Sequence, residues 1–145
     1  MLKLNLVTPS KKLLTEFPVD EIMVPAYRGE LNILPGHAAL VSSLTTGILR
    51  FRKAGGGELE SVAISWGYLE ISQDTVTVLA ETAEIGKELD LARAREAQQM
   101  ALKKLGQPDI SPEDMNKYMA KLERAIVRME VASGVNPEGR GSMSH

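Results

Sequence analysis

Apolar positions along this chain follow two different periods, and the change falls near residue 86. From Leu2 to about Glu81 the repeat is two. The candidate inward sets are Leu2/Leu4/Leu6, Ile22/Val24, Leu31/Ile33, Leu49/Phe51, Val62/Ile64/Trp66, Leu69/Ile71 and Val76/Val78/Ala80, because alternate residues of a strand face the same side. Turn chemistry separates them at Thr8-Pro9-Ser10, Pro18-Val19-Asp20, Pro35-Gly36, Thr46-Gly47, Gly55-Gly56-Gly57 and Ser72-Gln73-Asp74. Many short strands at this spacing predict an antiparallel β-sandwich or barrel over residues 1–85.

After about Gly86 the period becomes 3.6 and the residues become Ala, Leu, Glu, Lys, Gln, Arg and Met, the better helix formers. A first helix over Asp90–Leu105 gathers Leu91, Ala94, Ala97, Ala101, Leu102 and Leu105 on one mostly small-residue face. Gly106-Gln107-Pro108-Asp109-Ile110 breaks it. Ser111 as N-cap, Pro112 at the first helical position and Glu113 and Asp114 in the first turn start a second helix. Its apolar stripe is Met115, Tyr118, Met119, Leu122, Ala125, Ile126, Met129 and Ala132, with a stop at Ser133-Gly134. Small residues facing larger ones predict an antiparallel two-helix hairpin over residues 86–134. The Gly/Ser-rich stretch 135–145 reads as a disordered tail. Two amphipathic helices sharing one narrow seam leave apolar surface unburied, so the hairpin needs a further surface and is expected to be mobile.

Composition narrows the function. At 145 residues and 43% hydrophobic, the chain holds one ordinary core, or a small core with an appendage. Seventeen basic and nineteen acidic side chains nearly cancel, which argues against nucleic acid as a partner and leaves electrostatic recognition to local patches. The absence of cysteine removes disulfides, thiol nucleophiles and thiolate metal sites and fits a reducing compartment. The alternating start Met1–Val7 lacks the apolar core of a leader. No apolar run approaches the roughly 20 residues that span a bilayer, so direct membrane insertion is not expected.

Catalytic chemistry is missing. Gly55-Gly56-Gly57-Glu58 is not followed by Lys-Ser/Thr or a helix, so it reads as a hairpin turn rather than a phosphate loop. His37 has no internal histidine partner, and His145 lies in the tail. Neither a metal cluster nor a charge-relay triad can be assembled from them. No catalytic and no metal-ligating residues are assigned, and no cofactor is required.

Two places carry candidate recognition chemistry. The first is Arg28-Gly29-Glu30, with Pro35-Gly36-His37 beside it. An exposed charge at the tip of a rigid sheet is placed to dock on another protein, whereas His37 has the alternative of a backbone hydrogen bond. The second is the start of the first helix and the polar side of the second. Asp90 has the structural role of an N-cap, whose loss costs about 1 kcal/mol. Lys117, Lys121, Arg124 and Arg128 project into a sector about 60° wide. That basic strip would hold a polyanion by charge-assisted hydrogen bonds or meet an acidic partner.

The run Gly29-Glu30-Leu31-Asn32-Ile33-Leu34-Pro35-Gly36-His37-Ala38-Ala39-Leu40 and, far downstream, Leu89-Asp90-Leu91-Ala92-Arg93-Ala94 resemble two ordered signatures of the epsilon subunit family of the proton-translocating rotary ATP synthase. Gly67-Tyr68-Leu69-Glu70-Ile71 and Val76–Ala83 extend the likeness to nearly the whole chain up to Ala132. Ala39 departs from the pattern where the family often has proline.

The resemblance implies a non-catalytic central-stalk subunit, peripheral on the cytoplasmic face of the bacterial inner membrane. Its sandwich would couple the shaft (gamma) subunit to the membrane rotor ring through Gly29, Glu30, Leu31 and His37. Its hairpin would inhibit ATP hydrolysis by extending towards acidic segments of the alpha and beta catalytic subunits. Several relatives hold ATP as a regulatory ligand; the resemblance implies Glu84, Asp90 and Arg93 for that site, and the basic strip, read from the residues themselves, adds Arg124 and Arg128 as candidates. The rival reading is a free-standing ATP-binding sensor.

Overall fold

The computed structural model describes residues 1–86 and 89–133, and the chain divides into two compact units after Ile85. The predicted stop at Gly134 and the tail 135–145 lie outside the described residues.

The first unit holds seven strands: β1 (Leu2–Val7), β2 (Lys12–Ala26), β3 (Gly29–Ile33), β4 (Leu40–Leu44), β5 (Gly47–Lys53), β6 (Leu59–Ser72) and β7 (Thr75–Ile85). Neighbours follow the order β1-β7-β6-β4-β2-β3, while β5 bridges β2 and β6 and β1 also pairs with β2. A continuous path β1-β2-β5-β6-β7 therefore closes on itself. All pairings are antiparallel except β1 with β7, which run parallel in the register Leu4↔Val76 and Leu6↔Val78. The core lies inside this wrap, built on Leu2, Leu4, Leu6, Ile22, Val24, Ile33, Leu49, Val62, Ile64, Leu69, Ile71, Val76 and Val78. Nearly every predicted inward set is there.

Two expectations fail for one reason: long strands change partners midway. Pro18-Val19-Asp20 is not a turn but the middle of β2. Before it β2 pairs with β1, and beyond it with β5 and β3, with a register shift between Val19 and Glu21. A proline without an N–H is tolerated where a strand bends between ladders.

Trp66 is 58% exposed rather than inward. Beside β5, β6 turns Val62 and Ile64 into the core; beside β4 it turns Leu69 and Ile71 inward, so its facing parity switches across Ser65–Tyr68. Strand β7 switches with it, from Val76, Val78 and Ala80 to Ala83. Gly67 sits at this crossover. A Cβ there would lie 1.8 Å from the Leu79 carbonyl oxygen and 2.8 Å from Ala80 Cα, so only glycine lets the two strands approach this closely.

The second unit contains α1 (Leu91–Leu105) and α2 (Pro112–Ala132). Both caps form as the sequence predicts. Asp90 is extended and its carboxylate accepts the N–H groups of Ala92 and Arg93 at 2.9 and 3.3 Å. Ser111 Oγ accepts from Asp114 N–H at 3.1 Å, with Pro112 opening the helix. The seam buries Ala94, Ala101 and Ala125, with Tyr118, Leu122 and Met129 half-buried. Leu102, Met115, Met119 and Ile126 of the predicted stripes remain exposed. The last three lie roughly 60–100° around the helix from Tyr118, beyond the reach of one facing helix of small residues.

Candidate functional site

Strand β3 carries the first set of candidate residues. Gly29 opens it with φ +124°, a backbone angle that disfavours side chains. Glu30 pairs with Pro25 of β2 and Leu31 with Val24. The Glu30 side chain is 47% exposed, and its Oε2 accepts a hydrogen bond from Arg50 Nη2 at 2.5 Å. Leu31 is half-buried and packs against the core margin. Beyond the end of β3, the His37 N–H donates to the Leu34 carbonyl at 3.2 Å. The His37 ring takes the backbone role: Nδ1 lies 2.8 Å from the Ala38 carbonyl oxygen, which it meets as a donor. Gly36 N–H donates to Asp74 Oδ1 at 2.8 Å, tying this loop to the β6–β7 turn.

Glu30 and His37 therefore stand at opposite ends of β3 rather than side by side. The stretch from Glu30 to Ile33 alone spans about 10 Å. A partner that touched both would lie along the strand.

Periodicity placed Trp66 inside and so missed the outer face of β4, β6 and β7. Tyr68 pairs with Ser43 and Leu79, and Glu70 with Val41 and Thr77. Directly paired residues share a face, which sets Val41, Trp66, Tyr68 and Leu79 on one side, each more than half exposed. Together they form an exposed apolar patch on the outer face of the sheet.

In the helical unit a hollow of about 340 Å³ opens beside the seam, lined by Ala97, Met100, Ala101 and Lys104 of α1 and Tyr118, Lys121, Arg124 and Arg128 of α2. Its floor is apolar and its rim cationic. Lys117 and Lys121 hold their ammonium groups 5.5 and 5.4 Å from the Tyr118 ring centroid, within the range of a cation–π attraction. Of the candidate ATP-site residues, the structure brings Arg124 and Arg128 of the basic strip together here. Arg93 lies one turn before Ala97 on the same side of α1 and does not line the hollow; Asp90 serves as the cap. Glu84 belongs to β7, in the other unit. Lys104 and Tyr118 were not singled out for this site from sequence. Their signal was the spacing Ala97, Ala101, Lys104 on α1, read against the basic strip of an antiparallel α2.

Among the described residues no group of three or more His, Asp or Glu is arranged to hold a metal ion. No helix there is long and apolar enough to cross a membrane.

Comparison with known proteins places this architecture. Residues 1–86 match the family description "ATP synthase, Delta/Epsilon chain, beta-sandwich domain", and residues 87–133 match "ATP synthase, Delta/Epsilon chain, long alpha-helix domain". The ATP synthase epsilon chain of Geobacter sulfurreducens is 48% identical over 136 residues, covering 90% of this chain and 93% of that one. That of Bdellovibrio bacteriovorus is 38% identical over 131 residues, covering 90% and 94%. A chain in the OSCP/F1/c-ring structure of the Euglena gracilis mitochondrial ATP synthase superposes with a TM-score of 0.78 at 26% identity, over 91% of this chain and 81% of that chain. A chain of the Tetrahymena thermophila central stalk/c-ring structure shares the fold, with a TM-score of 0.60 at 15% identity, over 90% and 96%. With both units matched and the epsilon chains similar along nearly their whole length, the chain belongs to the epsilon chain family of ATP synthase.

Proposed function

We propose that the sandwich couples the shaft (gamma) subunit to the membrane rotor ring, and that the helical hairpin regulates ATP hydrolysis at the alpha and beta subunits. The chain itself is non-catalytic and sits peripherally on the cytoplasmic face of the bacterial inner membrane. The observation that supports this is an epsilon-family chain that combines a β3 edge with tied side chains and a hairpin that keeps apolar side chains exposed. Glu30 is held by Arg50, and the His37 loop is pinned by Asp74. In contrast α2 leaves Met115, Met119 and Ile126 in solvent, so the hairpin retains apolar surface for a partner. Gly29, Glu30, Leu31 and His37 are the docking residues in this reading.

Reconstituted ATP synthase provides the test. Enzyme rebuilt without this chain should lose ATP-driven proton pumping, and enzyme carrying a chain ended after Gly86 should pump but hydrolyse ATP faster. Unchanged pumping without the chain would refute the coupling role. Unchanged hydrolysis without the hairpin would refute the regulatory one.

A second reading concerns ATP as a regulatory ligand of the hairpin. It rests on the hollow, where Lys104, Lys121, Arg124 and Arg128 surround an apolar floor large enough for part of a nucleotide. Phosphates would meet the arginine forks and lysine charges, and Asp90 and Arg93 would act from the start of α1. ATP at about 100 times its dissociation constant would stabilise the binding form by about 2.7 kcal/mol, enough to bias two near-equal hairpin packings. Replacing Arg124 and Arg128 by Ala should abolish ATP-induced amide shifts in the hairpin; retained shifts would sink the site. The free-standing sensor is not favoured, because the chain matches a synthase subunit along nearly its full length.

A further inference from the structure

Arg50 stands where alternation predicts a solvent-facing side chain. Its neighbours Leu49 and Phe51 enter the core, so Arg50 leaves β5 from the opposite face, yet its side chain is only 2% exposed. Arg50 pairs with Met23 of β2, and Met23 pairs with Asn32 of β3. Paired residues share a face, so Arg50, Met23 and Asn32 form one row across three strands. Glu30 lies two residues from Asn32 on that same face. The guanidinium therefore reaches diagonally over β2 to the edge strand, across two strand spacings of roughly 9–10 Å together. A side chain as long as arginine is needed for that span.

We propose that Arg50 is a positioning residue that fixes the Glu30 carboxylate for docking on the rotor ring, an inference that rests on the docking role given to Glu30 above. Glu30 sits on β3, which pairs only with β2 among the described residues, and an unrestrained glutamate there would sample several rotamers that docking must then freeze. The bond from Arg50 Nη2 to Oε2 removes that freedom beforehand. The second oxygen, Oε1, is left to accept from donors or cations on the ring's polar loops. A buried guanidinium has few rotamers open to it and so makes a rigid anchor, and Glu30 is one group that offsets its charge.

The test uses the full chain in two arms. In the free chain, ¹³C relaxation at the Glu30 side chain should report an ordered carboxylate, and Arg50→Gln should make it mobile. Unchanged order in that variant overturns the proposal without touching the docking role. In the second arm the chain, bound to its shaft subunit, is titrated with detergent-solubilised rotor ring. Glu30→Gln and Arg50→Gln should each weaken binding about tenfold, and the double variant should be no weaker than either single one. Arg50→Lys, which keeps the charge but not the fork, should recover part of the loss.

Wild-type affinity in Arg50→Gln, or losses that multiply in the double variant, overturn the positioning role. Wild-type affinity in Glu30→Gln overturns the docking role itself, and the positioning role falls with it. Should Arg50→Gln fail to fold, Arg50→Met fills similar space without a buried charge and carries both arms.

Discussion

The backbone N–H of Gly36 donates to the Asp74 carboxylate at 2.8 Å across 38 positions of sequence. Asp74 sits in the left-handed region at φ 61° within the β6–β7 turn, and Gly36 at φ 85° within the loop after β3. One turn thus uses its side chain to close another. The loop that carries His37 is fastened to the sheet at a point that no local pattern reveals.

Asp74→Gly tests this bond cleanly, since glycine relieves the positive φ while removing the acceptor. Loss of a hydrogen bond to a charged group, about 1.5–3 kcal/mol, should raise the exchange rate of the Gly36 amide at least tenfold. The β7 amides should keep their protection. Equal Gly36 protection in both proteins would show that the loop is held by other means.

Gly67→Ala should destabilise the sandwich by about 1–3 kcal/mol or more, because the added methyl collides with the β7 backbone at Leu79 and Ala80. Denaturant unfolding of the full chain measures it. A midpoint equal to that of the wild type would mean that β6 and β7 separate freely at the crossover.

Trp66→Ser, by contrast, should change stability by no more than about 0.5 kcal/mol, since the indole is more than half exposed. Ile64→Ala, two residues earlier and fully within the core, should cost about 2–5 kcal/mol. Comparable losses at both positions would contradict the switch of facing along β6. If the outer patch is a partner surface, Trp66→Ser should weaken assembly while leaving the free chain intact.

Asp90→Ala should loosen the start of α1 by about 1 kcal/mol, seen as faster exchange at Ala92 and Arg93, and Asp90→Ser should restore it. Serine caps but carries no charge. An ATP affinity kept in Asp90→Ser would assign Asp90 to the helix alone, whereas an affinity lost in Asp90→Ser with the helix intact would make it a nucleotide ligand.

Most of the architecture was legible in the chain because it is local. Alternation decided which of Leu2, Leu4, Leu6, Val76 and Val78 face inward, since a strand has only two sides. Asp90 and Ser111-Pro112 marked both helix starts because a cap is satisfied by residues two or three positions away. The Gly29–Leu40 signature marked the candidate docking strand in the same way, as a contiguous word.

The tertiary structure alone decided whatever depends on partners distant in sequence. Strands β2 and β6 are long enough to leave one ladder and join another, so Pro18 does not reverse the chain and Trp66 does not enter the core. Arg50 looks solvent-facing in its own strand, yet it is buried and bonded to Glu30 of β3, one strand beyond β2. The cationic rim of Lys104 with Arg124 and Arg128 exists only once two antiparallel helices set their seam. A strand or helix period states which side a residue takes; what stands on that side is settled by non-local pairing, and that pairing places the chemistry of this chain.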